Sequence, residues 1–448
     1  MRALLLSPPP IEQRRLKQRD PAASIPLVRQ VTGFSRDGAG VAVATVVAIL
    51  LFGVSGVLLH FGFYTHDLIA DTPLYQHYGN AIVHGRVPYR DFEIDYPPGA
   101  LPMFAVPALF GTGAAGGVST GFGRTFETVM WICGTAAIIA MAISLWKVGA
   151  RPARIWSALL FAAFAPLALG AILLSRFDLW PGALVAVALA ALVTDRHRLG
   201  SGALGLGVTA KLYPAALLPL ALAYTWKRRG RAEAIVCLGI MAGAVALVFL
   251  PFVVIAPGGV WQSIGGQLSR PLQIESLGSA LLLVAQRTDG VDVTLRTTHG
   301  SQNLVGAGPD ALATISTVLQ VAALVAVWSA FARGPASREA LLRGSAAAVS
   351  GFVAFGKVLS PQFLIWLIPL VPLARSRLAA LLLASALVLT QLWFPFRYWT
   401  ELVRDLDPTV SSLVLVRDLI LVALFALLLS HQFRDARRRA GSGVAATS

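Results

Sequence analysis

Charge is scarce in this 448-residue chain. Only 13% of residues are charged, where soluble domains carry about 25%. Acidic residues are the scarcest part, 22 against 37 Lys and Arg, for a net charge of +15. There are two cysteines, Cys133 and Cys237, each inside an apolar run. That excludes a disulfide framework and thiolate metal motifs, and both read as small buried hydrophobes. No His-Glu-x-x-His helix and no Gly-rich phosphate loop is present, so neither zinc-peptidase nor P-loop chemistry is indicated. No internal repeat is visible, which weighs against a carrier built from inverted halves. The first residues contain Pro8-Pro9-Pro10 and scattered basic residues but no small-residue cleavage site. The first apolar run is therefore expected to stay as an anchor.

What is abundant is apolar sequence. Hydrophobic residues make up 56% of the chain and the mean hydropathy is +0.70. Runs at 41–63, 126–146, 155–174, 179–194, 233–255, 311–332, 343–357, 362–374, 378–395 and 411–430 approach the roughly 20 residues that cross a bilayer. Residues 203–226 are apolar but broken by Lys211-Leu212-Tyr213-Pro214 and flanked by basic residues on both sides, so they read as a hairpin of two short helices. The expected fold is an all-α polytopic membrane protein with about 10–12 transmembrane helices. The segments assigned to the inside (1–40, 147–154, 195–202, 227–233, 333–343, 375–377, 431–448) hold 25 of the 37 basic residues and 7 of the 22 acidic ones. This is the positive-inside pattern. The basic charge thus reports topology, and no nucleic-acid partner is implied. Both termini fall on the cytoplasmic side of the cell membrane. Residues 1–40 and 431–448 are expected as tails, and 41–430 as the membrane domain. The loops 64–125 and 257–310 then face outward, the first carrying short interfacial helices.

One polar stretch interrupts the apolar pattern. Asp67–Pro98 holds five of the 22 acidic residues, with Tyr75, Tyr78, Tyr89 and Tyr96 among them. Thr72 and Pro73 suit the first turn of a helix running to His84. From spacing alone, Asp71 fits a helix cap or solvated acid at least as well as a base, and Asp67 is its rival. Arg90, Asp91 and Asp95 read equally as sugar-orienting groups and as a solvated turn. The tyrosines suit stacking on sugar rings or an interfacial belt. His66, His77, His84 and His299 are lone loop histidines, so no metal site is expected.

The ordered pattern Asp71-x-x-x-Tyr75, then Gly85-x-x-Pro88-Tyr89-Arg90-Asp91-Phe92-x-x-Asp95-Tyr96-Pro97-Pro98-Gly99, resembles glycosyltransferase family 87. Three later stretches match as well: Arg176-Phe177-Asp178-Leu179-Trp180-Pro181, Ala210-Lys211-Leu212-Tyr213-Pro214, and Gly356-Lys357-Val358-Leu359-Ser360-Pro361-Gln362. Arg270-Pro271-Leu272-Gln273-Ile274-Glu275-Ser276 also looks like the family. The resemblance spans roughly 60–400. It implies a GT-C-like fold, a polyprenyl-phosphate sugar donor, a glycolipid or glycan acceptor, and an inverting transfer of mannose or a similar sugar on the outer face. A first-loop aspartate would be the base, and no cofactor is needed. Where the family usually has Glu before Tyr-Pro-Pro, this chain has Asp95.

A lipid-phosphate donor carries its own leaving group. One carboxylate then suffices to deprotonate the acceptor, without the paired carboxylates of hydrolases. Asp71 is expected to be that base, with Asp67 the alternative. The phosphate requires cations, Arg above all. The candidates are Arg176, Arg270, Lys357 and Arg417, with Arg397 less favoured and Lys211 left open. Tyr75, Tyr89, Arg90, Asp91, Asp95, Tyr96, Gln273, Glu275 and Gln362 are expected to bind substrate. A nucleotide-sugar donor would require a soluble α/β domain, and no inside segment exceeds 40 residues. The competing class is a transporter or flippase of polyprenyl-linked glycans. It should line several spans with charge at mid-depth, whereas here the charge gathers at one face.

Overall fold

The computed structural model describes residues 27–66, 69–111, 117–290 and 293–444. Asp67 and most of the expected N-terminal tail lie outside the described residues, as do 445–448 of the C-terminal one. The described chain is almost wholly helical: α1 Leu27–Leu58, α2 Thr72–Val83, α3 Pro102–Ala108, α4 Thr120–Lys147, α5 Pro152–Leu169, α6 Ile172–Ser175, α7 Leu179–Val193, α8 His197–Ala210, α9 Leu218–Arg229, α10 Arg231–Ile255, α11 Pro257–Leu268, α12 Leu277–Asp289, α13 Ala307–Arg333, α14 Arg338–Ala354, α15 Arg377–Trp393 and α16 Pro408–Val444. It is an all-α polytopic membrane protein.

Six of these helices, α1, α4, α5, α10, α13 and α16, are long and apolar enough to cross a bilayer alone. α15 makes a seventh if it is counted with the turn Tyr398–Arg404, to which it bends by 92°. The remaining expected spans are shorter. α7 and α14 have 15 and 17 residues, below the length of a full crossing; the helices α8 and α9 of the expected hairpin have 14 and 12. α7 and α14 are buried along most of their length and complete the core between the long helices. Residues 362–374, expected as a span, are instead two 3-10 segments, Pro361–Leu367 and Val371–Ala374. Pro361 and Pro372 interrupt the regular ladder there. Basic residues gather around the α7–α8, α9–α10 and α13–α14 turns. Asp195 takes Arg228 at 3.1 Å and Arg338 at 2.5 Å, and Arg154 pairs with Glu339 at 2.5 Å. This tight packing of opposite charges closes one end of the bundle.

The other end carries the loops. The hairpin expectation for 203–226 is met by α8 and α9, joined through the 3-10 turn Tyr213–Leu217, which leaves Lys211 at this end. The expected polar loop 257–310 is more ordered than composition suggests. It contains α11, α12 and a three-stranded antiparallel sheet, β1 Leu272–Gln273, β2 Thr294–Thr298 and β3 Ser301–Val305, in the order β1-β3-β2. β3 is buried, and β1 delivers Gln273 and Glu275 inward. The interfacial helix expected at 99–111 is α3, with Leu109 and Phe110 exposed just beyond it. α2 packs so closely on α3 that a Cβ at Gly79 would lie 2.3 Å from the Phe104 carbonyl oxygen.

Candidate active site

The site begins at the first turn of α2. Asp71 occupies the N-cap position, yet its side chain accepts no bond from the helix. Its carboxylate instead pairs with the guanidinium of Arg176, and Tyr75 Oη donates to it at 3.4 Å. The plain capping role weighed from the sequence is therefore not the one the geometry shows. Arg176 comes from the bend between α6 and α7 and is buried. One of its terminal nitrogens faces the Ile69 carbonyl at 3.4 Å, while Nε has no partner among the described residues.

Two residues on, Asp178 is fully buried. Lys211 Nζ and Trp366 Nε1 both reach its Oδ1 at 2.6 Å. The Lys211 ammonium also lies over three rings, Phe177, Trp366 and Phe363, at 4.9, 5.1 and 5.5 Å from their centroids, each a favourable cation–π contact. Trp366 is in turn stacked between Tyr213 and Phe363, both at 4.1 Å. Lys211 feels Arg176 and Arg270 as well as Asp178, so three cations share one neighbourhood. Lys211 is the residue sequence reasoning missed. The signal was a lone cation in an apolar hairpin, which requires a buried acid.

Arg270 donates to Ser301 Oγ at 2.8 Å, and its Nε is unspent. Lys357 is the neighbouring cation. Its ammonium donates to the carbonyl of Leu268, the last residue of α11, at 2.8 Å, where the helix dipole favours a cation. Glu275 closes the far side. Its charge is felt by Arg176, Arg270 and Tyr398. Burial pushes its carboxyl up to about 7, against the pull of Arg417, a hydrogen bond from Gln273, and Arg270. Gln273 donates to Ser360 Oγ at 2.9 Å. Several buried polar atoms of these residues have no partner among the described residues: Arg176 Nε, Arg270 Nε, Asp178 Oδ2, Gln273 Oε1 and Glu275 Oε2. Native interiors leave few such atoms, and a cluster of them marks a place prepared for a polar ligand.

Other expected site residues sit elsewhere. Arg417 is fully buried, 2.6 Å from Asp418, and donates to the Glu275 backbone carbonyl at 2.8 Å. It holds the turn at Glu275, just after β1, from behind. Tyr75 is fully buried and stacked on Phe104 at 4.7 Å. Tyr89, at a φ of +67°, is buried and bonds the Tyr96 carbonyl at 2.6 Å. Tyr96 packs edge-on against Phe177 at 5.0 Å. These rings, with Tyr78, form an aromatic floor beneath the site, so the expected sugar-stacking role does not match their packing. Arg90, Asp91 and Asp95 are exposed. The hydrogen bond from Arg90 holds Asp91 down to about 2, and Asp91 in turn accepts from the Val87 amide at 2.7 Å. That pair ties a surface turn. Arg397 pairs with Glu401 at 3.3 Å. Gln362 lies half-buried at the start of the 3-10 segment after Ser360. Among the described residues no three His, Cys, Asp or Glu side chains converge as a metal site.

A family model for glycosyltransferase family 87 matches residues 94–361, more than half of the chain. The chain belongs to glycosyltransferase family 87. No curated protein matches it closely enough to add to that. The matched region of this family 87 protein contains Arg176, Asp178, Lys211, Arg270, Glu275 and Lys357. Asp71 precedes it and Arg417 follows it. A membrane glycosyltransferase thus has its cationic cluster inside the family domain, with the carboxylate of Asp71 brought to that domain by the Arg176 pair.

Proposed function

We propose that this glycosyltransferase transfers a sugar, mannose or a close relative, from a polyprenyl-phosphate donor to a hydroxyl of a glycolipid or glycan acceptor outside the cytoplasm. Asp71 is the base. Arg176, Lys211 and Arg270 hold the donor phosphate, with Lys357 beside them. The acceptor oxygen attacks C1 of the sugar and its proton passes to the Asp71 carboxylate. The bond from C1 to the phosphate oxygen breaks, and its electron pair leaves with the polyprenyl phosphate. Displacement from the opposite face inverts C1. The phosphate leaves unprotonated because clustered cations neutralise the charge it gains, the electrostatic contribution expected of a preorganised site.

The observation that carries this reading is the Asp71–Arg176 pair, in which one guanidinium joins a carboxylate at the α2 start to a group of cations whose Nε donors at Arg176 and Arg270 have no partner among the described residues. The side assignment rests on charge. Basic residues crowd the opposite end of the bundle, as expected of the cytoplasmic side.

The test uses the purified full chain in detergent with a polyprenyl-phosphate mannose and an alkyl mannoside acceptor. Transfer with inversion is expected. Asp71→Asn should lower kcat by about 10²–10⁴-fold, the usual worth of a positioned base, while the melting profile is retained. Full activity in Asp71→Asn would remove Asp71 from its role. Donor binding without turnover by the parent protein would favour transport.

A further inference from the structure

A cavity lies beside the start of α2, next to Asp71 in the chain. It measures about 280 Å³, near the lower end of the roughly 300–1,000 Å³ usual for small-molecule sites. It is walled by the ends of α1, α4, α5 and α15. Ala70 and Thr72, which flank Asp71, line it, and so does Ser175, which precedes Arg176. The Asp71–Arg176 pair therefore stands at the boundary between this cavity and the cationic cluster.

Its walls differ from those of the cluster. Leu59, Ile69, Leu169, Ile172, Phe394 and Phe396 supply an apolar surface. No Lys or Arg is among the lining residues described. The polar lining includes the hydroxyl-bearing Tyr64, Thr65, Thr72 and Ser175, but its acceptors are Glu127, with His60 at 3.3 Å from its carboxylate, and Gln391. The Gln391 side chain is more than nine-tenths buried, and its Oε1 has no partner among the described residues. It is held tightly in place, since a Cβ on Gly170 would lie 2.0 Å from that oxygen. An acceptor so buried is costly to leave unbonded, and a ligand hydroxyl would remove that cost. A carboxylate and an amide oxygen accept hydrogen bonds. They suit hydroxyls and repel phosphate.

We infer that this cavity is the acceptor subsite. It takes the neutral, hydroxyl-bearing end of an apolar-tailed acceptor, a sugar-headed lipid without phosphate at that end, and Glu127, oriented by His60, and Gln391 position it. This deepens the reading of Asp71 as the base and rests on it. The two substrates are kept apart by charge: the anionic donor lies among Arg176, Lys211 and Arg270, the neutral acceptor lies against Glu127 and Gln391, and Asp71 stands between them.

Two measurements on the full chain test this. In the first, KM for octyl mannoside and for polyprenyl-phosphate mannose is measured separately. Glu127→Gln and Gln391→Leu should each raise the acceptor KM about ten-fold, the equivalent of roughly 1.4 kcal/mol, with donor KM unchanged. A Cβ at Gly123 would meet Val118 Cγ1 at 3.6 Å, so Gly123→Leu has room to enter the cavity and should raise the acceptor KM further. In the second, which needs no turnover, a diazirine-bearing alkyl mannoside is photolysed with the protein. It should label the α4 start or the α15 end, and octyl mannoside but not farnesyl phosphate should compete. A donor KM that rises with isoprenoid length in these variants, or labelling displaced by farnesyl phosphate, would assign the cavity to the donor tail and overturn the inference. Labelling as expected without any transfer would leave the subsite standing and remove the proposed reaction instead.

Discussion

Replacing Lys211 by Met tests how the cationic cluster is built. Lys211 Nζ lies 2.6 Å from a carboxylate, Asp178, that is entirely buried. At that distance the gross attraction is about 6 kcal/mol with an effective dielectric of about 20, and much of it offsets desolvation of the two ions. Removing one partner is the costly change, because it strands a buried charge. Breaking such a pair costs about 3–5 kcal/mol. Trp366 would still donate to Asp178 Oδ1, which places Lys211→Met toward the lower figure. Asp178→Asn alone strands the ammonium, though its aromatic neighbours offset part of that loss. The double variant Lys211→Met/Asp178→Asn has no stranded charge and should recover most of the stability. Detergent-phase unfolding midpoints of the four proteins form the cycle. A coupling energy under about 0.5 kcal/mol, the additive range for independent sites, would refute the buried pair. Transfer activity supplies the second readout. The double variant folds but lacks the cation, so donor KM should stay high. Restored activity would remove Lys211 from the phosphate set.

Glu275→Gln should change the pH response of stability. The folded carboxyl sits at about 7, above its ordinary 4.5, so folding binds a proton between those values. The stability it contributes is complete below the unfolded pKa and is lost as pH rises through about 7, a span worth about 3 kcal/mol; the Gln variant should show no such fall in unfolding midpoints across that range. Gly79→Ala would bring a methyl group against the Phe104 carbonyl oxygen and should cost about 1–3 kcal/mol by overpacking. Because α2 also carries Asp71, kcat should fall with it, and a variant with parental Tm and kcat would contradict the α2–α3 packing. Arg90→Ala should leave transfer kinetics unchanged, since Arg90 ties a surface turn to Asp91. A rise in donor or acceptor KM would return it to the substrate contacts.

The sequence carried the fold class because it is a property of composition and run length. It carried the end of the bundle where the polar groups gather because basic residues mark the other end. It did not carry partnerships across long separations. Arg176 is legible as a candidate cation for the phosphate, but its pairing with Asp71 depends on α2 lying near the α6–α7 bend, which no local pattern encodes. Lys211 was left open because the Lys-Leu-Tyr-Pro break does not say which end of a short hairpin it occupies. The tyrosines misled in a specific way. Tyr75 and Tyr78 are three apart on α2, which is itself a signal for one buried helical face, and in the fold both rings turn into the protein. The span expected at 362–374 failed because apolar content does not distinguish a membrane helix from a buried 3-10 segment punctuated by proline.

The charges of the site suggest why base and phosphate cations share one guanidinium. A carboxylate bonded to Arg is a weak base, because the ion pair favours its charged form. Arg176 engages Asp71 and spends only part of its fork, and its Nε has no partner among the described residues. On the proposed reading, an arriving phosphate brings a stronger bidentate partner for that fork and draws Arg176 away from the carboxylate. On that reading Asp71 is released toward the acceptor hydroxyl only when donor is present. A lysine at 176 would offer one ammonium where the fork offers separate donors. On the proposed reading Arg176 belongs to both halves of the reaction, and the buried acids Asp178 and Glu275 are what hold the cations Arg176, Lys211 and Arg270 together.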